Sequence, residues 1–255
     1  MKIIDMHAHI WMWGIEATTE RLIKSIEAYG VSKTFVSTLS TAYPDCDMVR
    51  QMNEQTCLLM KKYPQYIEGY VYVGPEHPDA LDVLKKGIED RGMCGVKVWV
   101  SEKCDSEKMN PLAEKMIDYN VPLLIHALKK SQFTGVPTEN TSVEIRNLAL
   151  RYPELKIIMA HADGNCYHGI PNVRDLKNVY VDISGRGNRE GELEYMVENL
   201  GMDRVLFGTD LSESSFCSPY SAVVSARLPD SVKQKILCDN TLRIFDRKFR
   251  PEATK

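Results

Sequence analysis

Five side chains carry types and positions suited to one piece of chemistry: His7, His9, His126, His161 and Asp210. Neutral imidazoles and a carboxylate are the donor set of a divalent cation, zinc first and manganese as a second choice. A catalytic site of this kind keeps one position open for water. His7 and His9 are two residues apart, and on a strand that spacing sends both rings out of the same face. His126, His161 and Asp210 each close an apolar run: Leu123-Leu124-Ile125-His126, Ile157-Ile158-Met159-Ala160-His161 and Val205-Leu206-Phe207-Gly208-Thr209-Asp210. A lone His-x-His says little. Four of the six histidines and an aspartate, at four separate strand ends, say much more than scattered core histidines would.

Such residues meet only if the elements beneath them converge. Strand patterns fall at Ile3–His9, Thr34–Leu39, Ile67–Val73, Gly95–Val100, Val121–His126, Lys156–His161, Val179–Ser184 and Val205–Asp210. Helical spacing of apolar residues lies between them: Thr19–Tyr29 before Gly30, Met48–Lys62, Leu81–Asp90, Met109–Tyr119, Val143–Arg151, Glu192–Leu200 and Val232–Phe245. Strands alternating with helices imply βαβ units and a parallel sheet. Eight units in 255 residues predict a single (β/α)8 TIM barrel, one domain over residues 1–255, with all strand C-termini at one mouth. A doubly wound sheet would need a Gly-rich turn after the first strand, where this chain has His7-Ala8-His9-Ile10-Trp11.

Alternation assigns the faces. Asp5, His7 and His9 share one side of the first strand, and Ile4, Met6 and Ala8 the other, which places the polar set towards the barrel axis. Lys97 and Trp99 from the fourth strand, and Tyr180, Asp182 and Ser184 from the seventh, point inward on the same reading. So many polar groups on one axis are costly unless they serve each other or a metal.

Composition narrows the function classes. With 44% hydrophobic and 26% charged residues the chain is an ordinary globular protein, and its net charge of −3 offers no basic footprint for nucleic acid or for a membrane surface. The seven cysteines form no CxxC pair and read as reduced thiols. Asp5, His7 and His9 interrupt any leader-like apolar run, and no stretch approaches the ~20 apolar residues of a membrane span. The expected address is the cytoplasm, the expected partner a small-molecule substrate, with a homo-oligomer possible.

Asp-Met-His-Ala-His, the runs ending in His126, His161 and Asp210, Tyr-Val-Asp-Ile-Ser-Gly and Ile-Leu-Cys-Asp-Asn-Thr-Leu-Arg-Ile-Phe together resemble the amidohydrolase superfamily. Within it they resemble the amidohydrolase-related branch that includes the aminocarboxymuconate-semialdehyde decarboxylase type. The resemblance runs nearly end to end. It implies His7, His9, His126 and Asp210 as ligands of one metal, with His161 beside it, touching substrate or assisting proton transfer. Where many relatives continue the fourth strand with Leu-His-Pro, this chain has Val98-Trp99, so the substrate side of the pocket is expected to differ. Some superfamily members carry a carboxylated lysine at the Lys97 position. Here Lys97 is expected to stay unmodified, paired with Asp5, Glu68 or Asp182 or reaching a substrate carboxylate, with one metal per chain.

The implied reaction is attack by a metal-activated water on an amide, ester or lactone of a small carboxylated or cyclic molecule, with Asp210 as proton carrier and His161 as electrophilic helper. Non-oxidative decarboxylation on the same site is the alternative. Decarboxylase relatives often begin Glu-x-His, so His7 favours hydrolysis. Lys97, Trp11, Arg186 and His168 are further candidates for substrate contact.

Overall fold

The β-branched runs pair side by side in chain order, each parallel to the last. In the computed structural model, which describes residues 1–130, 136–185 and 189–246, the strands are β1 (Ile4–Trp11), β2 (Lys33–Leu39), β3 (Ile67–Tyr72), β4 (Gly95–Val98), β5 (Leu123–Ile125), β6 (Ile157–Met159), β7 (Val179–Asp182) and β8 (Val205–Leu206). The seam between β8 and β1 is drawn shut by Met6 N–H donating to Phe207 O at 3.0 Å and Asp210 N–H to His7 O at 2.7 Å. A parallel bridge joins Ala8 to Leu211. The result is the expected (β/α)8 barrel.

Helices cover its outside: α1 (Ile15–Tyr29), α2 (Cys46–Lys62), α3 (Ala80–Glu89), α4 (Asn110–Asp118), α5 (Ser142–Arg151), α6 (Cys166–Val173), α7 (Glu192–Leu200), α8 (Cys217–Ser225), α9 (Asp230–Gln234) and α10 (Asn240–Phe245). Gly30 ends α1 at φ 63°, a conformation that glycine adopts without a Cβ penalty. Thr141 and Glu144 form a capping box that starts α5. The helices α6 and α8 have no counterpart in the sequence pattern, because Gly169 with Pro171 and Pro219 with neighbouring serines hide their periodicity. The expected Val232–Phe245 helix is interrupted by a wider π-type turn at Lys235–Asp239. None of the described helices is long and apolar enough to cross a membrane.

Two apolar layers lie on either side of the barrel wall. Val36, Val71, Val96, Val98, Leu123, Ile125, Ile157, Val179 and Val181 belong to the outer layer beneath the helices. Phe35, Tyr70, Leu124, Ile158 and Leu206 belong to a second cluster, which includes Ile4 and Met6 and is capped by Ile244 and Phe245 of α10. Uniform alternation along β1 fails here. The β1–β2 register shifts between Asp5 and Ala8, so Ile4 and Met6 join the inner cluster while Ala8 and Ile10 join the outer one. A bulge of this kind re-aims the residues that follow it.

Candidate metal centre

His7 leaves the bulge fully buried. Its Nδ1 lies 2.7 Å from Asp182 Oδ2 and 3.0 Å from Ser184 Oγ. The single hydroxyl proton of Ser184 goes to Asp182 Oδ1 at 2.6 Å. That network assigns the His7 proton to Nδ1 and leaves a lone pair on Nε2. His9 follows the same logic: its Nδ1 donates to Ser37 O at 3.2 Å, freeing Nε2. The two free nitrogens face each other at 2.9 Å, and Asp210 Oδ1 stands 3.7 Å from His7 Nε2 and 3.4 Å from His9 Nε2.

A second pair repeats the pattern. His161 Nδ1 donates to Ser184 O at 3.2 Å, and His126 Nε2 to Glu139 Oε1 at 3.0 Å. The remaining nitrogens, His161 Nε2 and His126 Nδ1, face each other at 3.1 Å. The Lys97 ammonium, 3.1 Å from His7 Nε2, offsets part of the repulsion among these four inward nitrogens and the carboxylate, and the donor set they form suits a divalent cation. His7, His161 and Asp210 each present a ligand atom within 4.8 Å of the others, a group that could hold a metal ion.

Burial sets the charges. It pulls His7 down to about 3, with Lys97 adding to the effect, and it lowers His9, His126 and His161 as well. All four rings are therefore neutral, as ligands must be. Burial pushes Asp210 up to about 6 and Lys97 down to about 8. Asp182 is held well below the usual carboxylate range, because His7, His161 and Ser184 outweigh its desolvation. Lys97 is fully buried, with Nζ 3.1 Å from His7 Nε2. No ion pair joins it to Asp5, Glu68 or Asp182, so the expected salt bridge is replaced by a contact with His7. Asp5 is occupied by Thr209, through Oγ1 at 2.6 Å and N–H at 3.0 Å.

The backbone around these groups is unusual. His161, Ala162 and Asp163 all have positive φ (60°, 46° and 62°), as does Asp210 (59°), a conformation costing non-glycine residues ~1–2 kcal/mol each. Asp163 anchors the turn: it accepts from Ser142 N–H at 3.1 Å, Ser142 Oγ at 2.6 Å and His168 Nδ1 at 2.8 Å. Gly185, at φ 71°, passes so close that a Cβ there would lie 2.5 Å from His161 Nδ1 and 2.9 Å from Asp210 Oδ2.

Above the cluster opens a cavity of about 470 Å³, lined among others by Trp11, Trp13, Arg21, His126, His161 and Asp210. Trp11 packs 5.9 Å from Trp13 and 5.7 Å from Trp99, ring centre to ring centre. His168 does not line this cavity; its partner is Asp163. Arg186 lies outside the described residues. Arg21, Glu139 and Glu213 were missed by the sequence reading. Arg21 and Glu213 also line the cavity, and all three sit on helices or loops where no periodic signal marks them. Asp182 and Ser184 were marked by strand parity, though without their part in fixing His7.

Fold and site define a (β/α)8 barrel whose mouth carries a histidine–aspartate cluster fit for a metal ion. The Amidohydrolase family model matches residues 4–247, and the chain belongs to that family. No curated protein matches its sequence. Solved structures share the barrel closely. One is the 2,6-dihydroxybenzoate decarboxylase from Rhizobium, at 18% identity and TM-score 0.80, covering 96% of this chain and 99% of that one. A second is a dihydroxybenzoic acid decarboxylase from Polaromonas sp. JS666 with bound manganese and 2-nitroresorcinol, at 17% identity and TM-score 0.77, covering 96% and 97%. A third is the 5-carboxyvanillate decarboxylase from Sphingomonas paucimobilis, at 16% identity and TM-score 0.76, covering 96% and 99%.

These neighbours overturn the expectation of a hydrolase. That preference rested on His7 standing where many decarboxylases have Glu, yet proteins that share this barrel over nearly its whole length are decarboxylases. The physical reason is that the first-strand residue reports the donor set for a cation, and one donor set serves either reaction.

Proposed function

We propose that this chain is a metal-dependent, non-oxidative decarboxylase of a small hydroxylated aromatic acid. The observation that carries the reading is the position of Asp210: its carboxyl lies among the inward imidazole nitrogens and also lines an indole-walled cavity. The decarboxylase neighbours, with their benzoate-type ligands and bound manganese, support it. The overall change is ArCOO⁻ + H⁺ → ArH + CO₂, so a proton must reach the ring carbon as the C–C bond breaks.

His7, His9, His126 and Asp210 would hold the cation, with His161, whose ring nitrogen lies within 4.8 Å of ligand atoms of His7 and Asp210, close enough to join them; manganese and zinc both suit this imidazole and carboxylate set. When bound there, the cation would supply Lewis-acid stabilisation of the substrate carboxylate. Trp11 and Trp13 hold the ring flat against one wall, as aromatic faces do. Asp210 stands where it can deliver the proton to the ring carbon. His161 places its ring beside the developing charge, and the Lys97 ammonium, through His7, offsets negative charge at the floor. Seven cysteines with no CxxC pair among them favour a reducing compartment, the cytoplasm.

The test is product analysis on protein loaded separately with manganese and zinc. Incubation with 2,6-dihydroxybenzoate, 5-carboxyvanillate and related hydroxybenzoates should yield the corresponding phenol and one equivalent of CO₂. A metal-saturated protein that releases CO₂ from no member of the panel would refute the proposal.

A further inference from the structure

Glu139 is a carboxylate to which neither strand pattern nor motif gives a role. It lies in the connection from β5 to α5, and its neighbours are pinned to the loop after β4. Thr138 Oγ1 donates to Val100 O, Lys103 Nζ to Glu139 O at 2.6 Å, and Cys104 N–H to Asn140 Oδ1 at 2.8 Å. The backbone under Glu139 is thus fixed before its side chain is considered. Both side-chain oxygens are used: Oε1 lies 3.0 Å from His126 Nε2, and Oε2 lies 2.9 Å from Lys130 Nζ.

We propose that Glu139 is a positioning residue that fixes His126 in the tautomer whose Nδ1 lone pair faces His161 and the cation. A neutral imidazole has one N–H, and the nitrogen that donates it decides which nitrogen is left free. An ionised carboxylate only accepts, so at 3.0 Å it selects the Nε2–H form. Without it the proton is free to move to Nδ1, or the ring to turn over, and either change aims an N–H or a carbon at the other ligands. The Lys130 ammonium holds the second oxygen and so sets the carboxylate plane. Partners that orient a ligating histidine typically change metal affinity by ~10–100-fold when removed.

This inference rests on the metal-centre part of the function proposed above, and its test separates the two. Zn²⁺ affinity is measured by competition with a chromogenic chelator for the wild type, Glu139→Ala, Glu139→Gln and Lys130→Met, with thermal melts confirming that each folds. Glu139→Ala should bind about 10–100-fold more weakly. Glu139→Gln should recover most of the loss, because its amide oxygen still accepts from Nε2, and Lys130→Met, which keeps the acceptor but frees its plane, should fall between the wild type and Glu139→Ala. A Glu139→Ala protein that binds like the wild type overturns the role of Glu139 alone, as does Glu139→Gln binding as weakly as Ala. A wild type that binds no metal overturns the metal centre and this inference together. Long-range ¹H–¹⁵N spectra of the metal-free wild type give a reading that needs no variant: His126 should be protonated at Nε2, and protonation at Nδ1 would refute the assignment.

Discussion

Replacing Asp182 by Asn should separate the two tasks of that carboxylate. Oδ1 accepts from His161 N–H at 3.0 Å, Ser184 N–H at 3.0 Å and Ser184 Oγ at 2.6 Å, whereas Oδ2 accepts from His7 Nδ1, at 2.7 Å. An asparagine with its oxygen in the Oδ1 place keeps three of these bonds. Its NH₂ then meets the His7 Nδ1–H, donor against donor. Loss of one charge-assisted bond costs about 1.5–3 kcal/mol. His7 can relieve the clash by moving its proton to Nε2, but that nitrogen faces His9 Nε2 and Asp210, and the lone pair offered to the cation disappears. Metal affinity should therefore fall by about 10–100-fold in a protein that still folds. Asp182→Ala is a different experiment: four buried donors lose their acceptor at about 1–3 kcal/mol each. That total is comparable with a whole domain's ~5–15 kcal/mol, so no folded protein is expected. Urea denaturation and metal titration of the Asn variant give both numbers. If Asp182→Asn matched the wild type in stability and in metal affinity, the tautomer argument for His7 would be wrong.

Asp210→Asn should keep the fold, by circular dichroism, and lose about 10²–10⁴-fold in turnover, since an amide is far too weak an acid to deliver a proton; unchanged turnover would remove Asp210 from the chemistry. Gly185→Ala puts a methyl 2.5 Å from His161 Nδ1 at a φ of 71°. It should cost about 1–2 kcal/mol in the melt and on the order of 100-fold in rate through misplacement of His161, and a variant with normal kinetics would show that the contact is slack. Arg146 grips the exposed Asp175 through two bonds of 2.7 and 2.9 Å and pulls its carboxyl down to about 2. A depressed folded value stabilises above the unfolded value of about 3.9, and the gain is lost as pH falls towards 2. Asp175→Asn should therefore melt below the wild type at pH 7, with the two melting curves converging near pH 2. A gap that persists in acid would mean that the residue acts by packing.

The barrel was legible because its signal is repeated and local. Each βα unit shows a short β-branched run and then a 3.6-residue period, and the polar residue closing each run survives any small error in strand ends. The strands do end early: β5, β6 and β8 stop at Ile125, Met159 and Leu206, so His126, His161 and Asp210 sit on the turns beyond them. That displacement is what allows His161 and Asp210 their positive φ values, which no ladder would tolerate. Glu139 and Arg21 were illegible for the opposite reason. One lies in a loop and one on an exposed helix face, so their place at the mouth depends on tertiary packing and not on a period. Preference for one reaction was the least legible of all. A donor set for a cation is written in four histidines and an aspartate, whereas the bond that breaks depends on cavity shape and on where a proton carrier stands.

The bulge in β1 explains how one strand serves two incompatible layers. Below it, Ile4 and Met6 join Phe35, Tyr70, Leu124, Ile158 and Leu206 in an apolar plug closed by Phe245. Above it, His7 and His9 face Asp182, Ser184, Lys97 and Asp210. A regular strand holding the histidines inward would carry Asp5 into the plug, where an unpaired carboxylate would be far too costly. The shift lets Thr209 and the His7 amide satisfy Asp5 at the seam instead. At the boundary Lys97 donates to His7 from below, and Asp182 gathers four donors from β1, from the turn after β6 and from Ser184 just past β7. The polar layer can thus be strained and tuned for chemistry because the layer beneath it is apolar and anchored to α10.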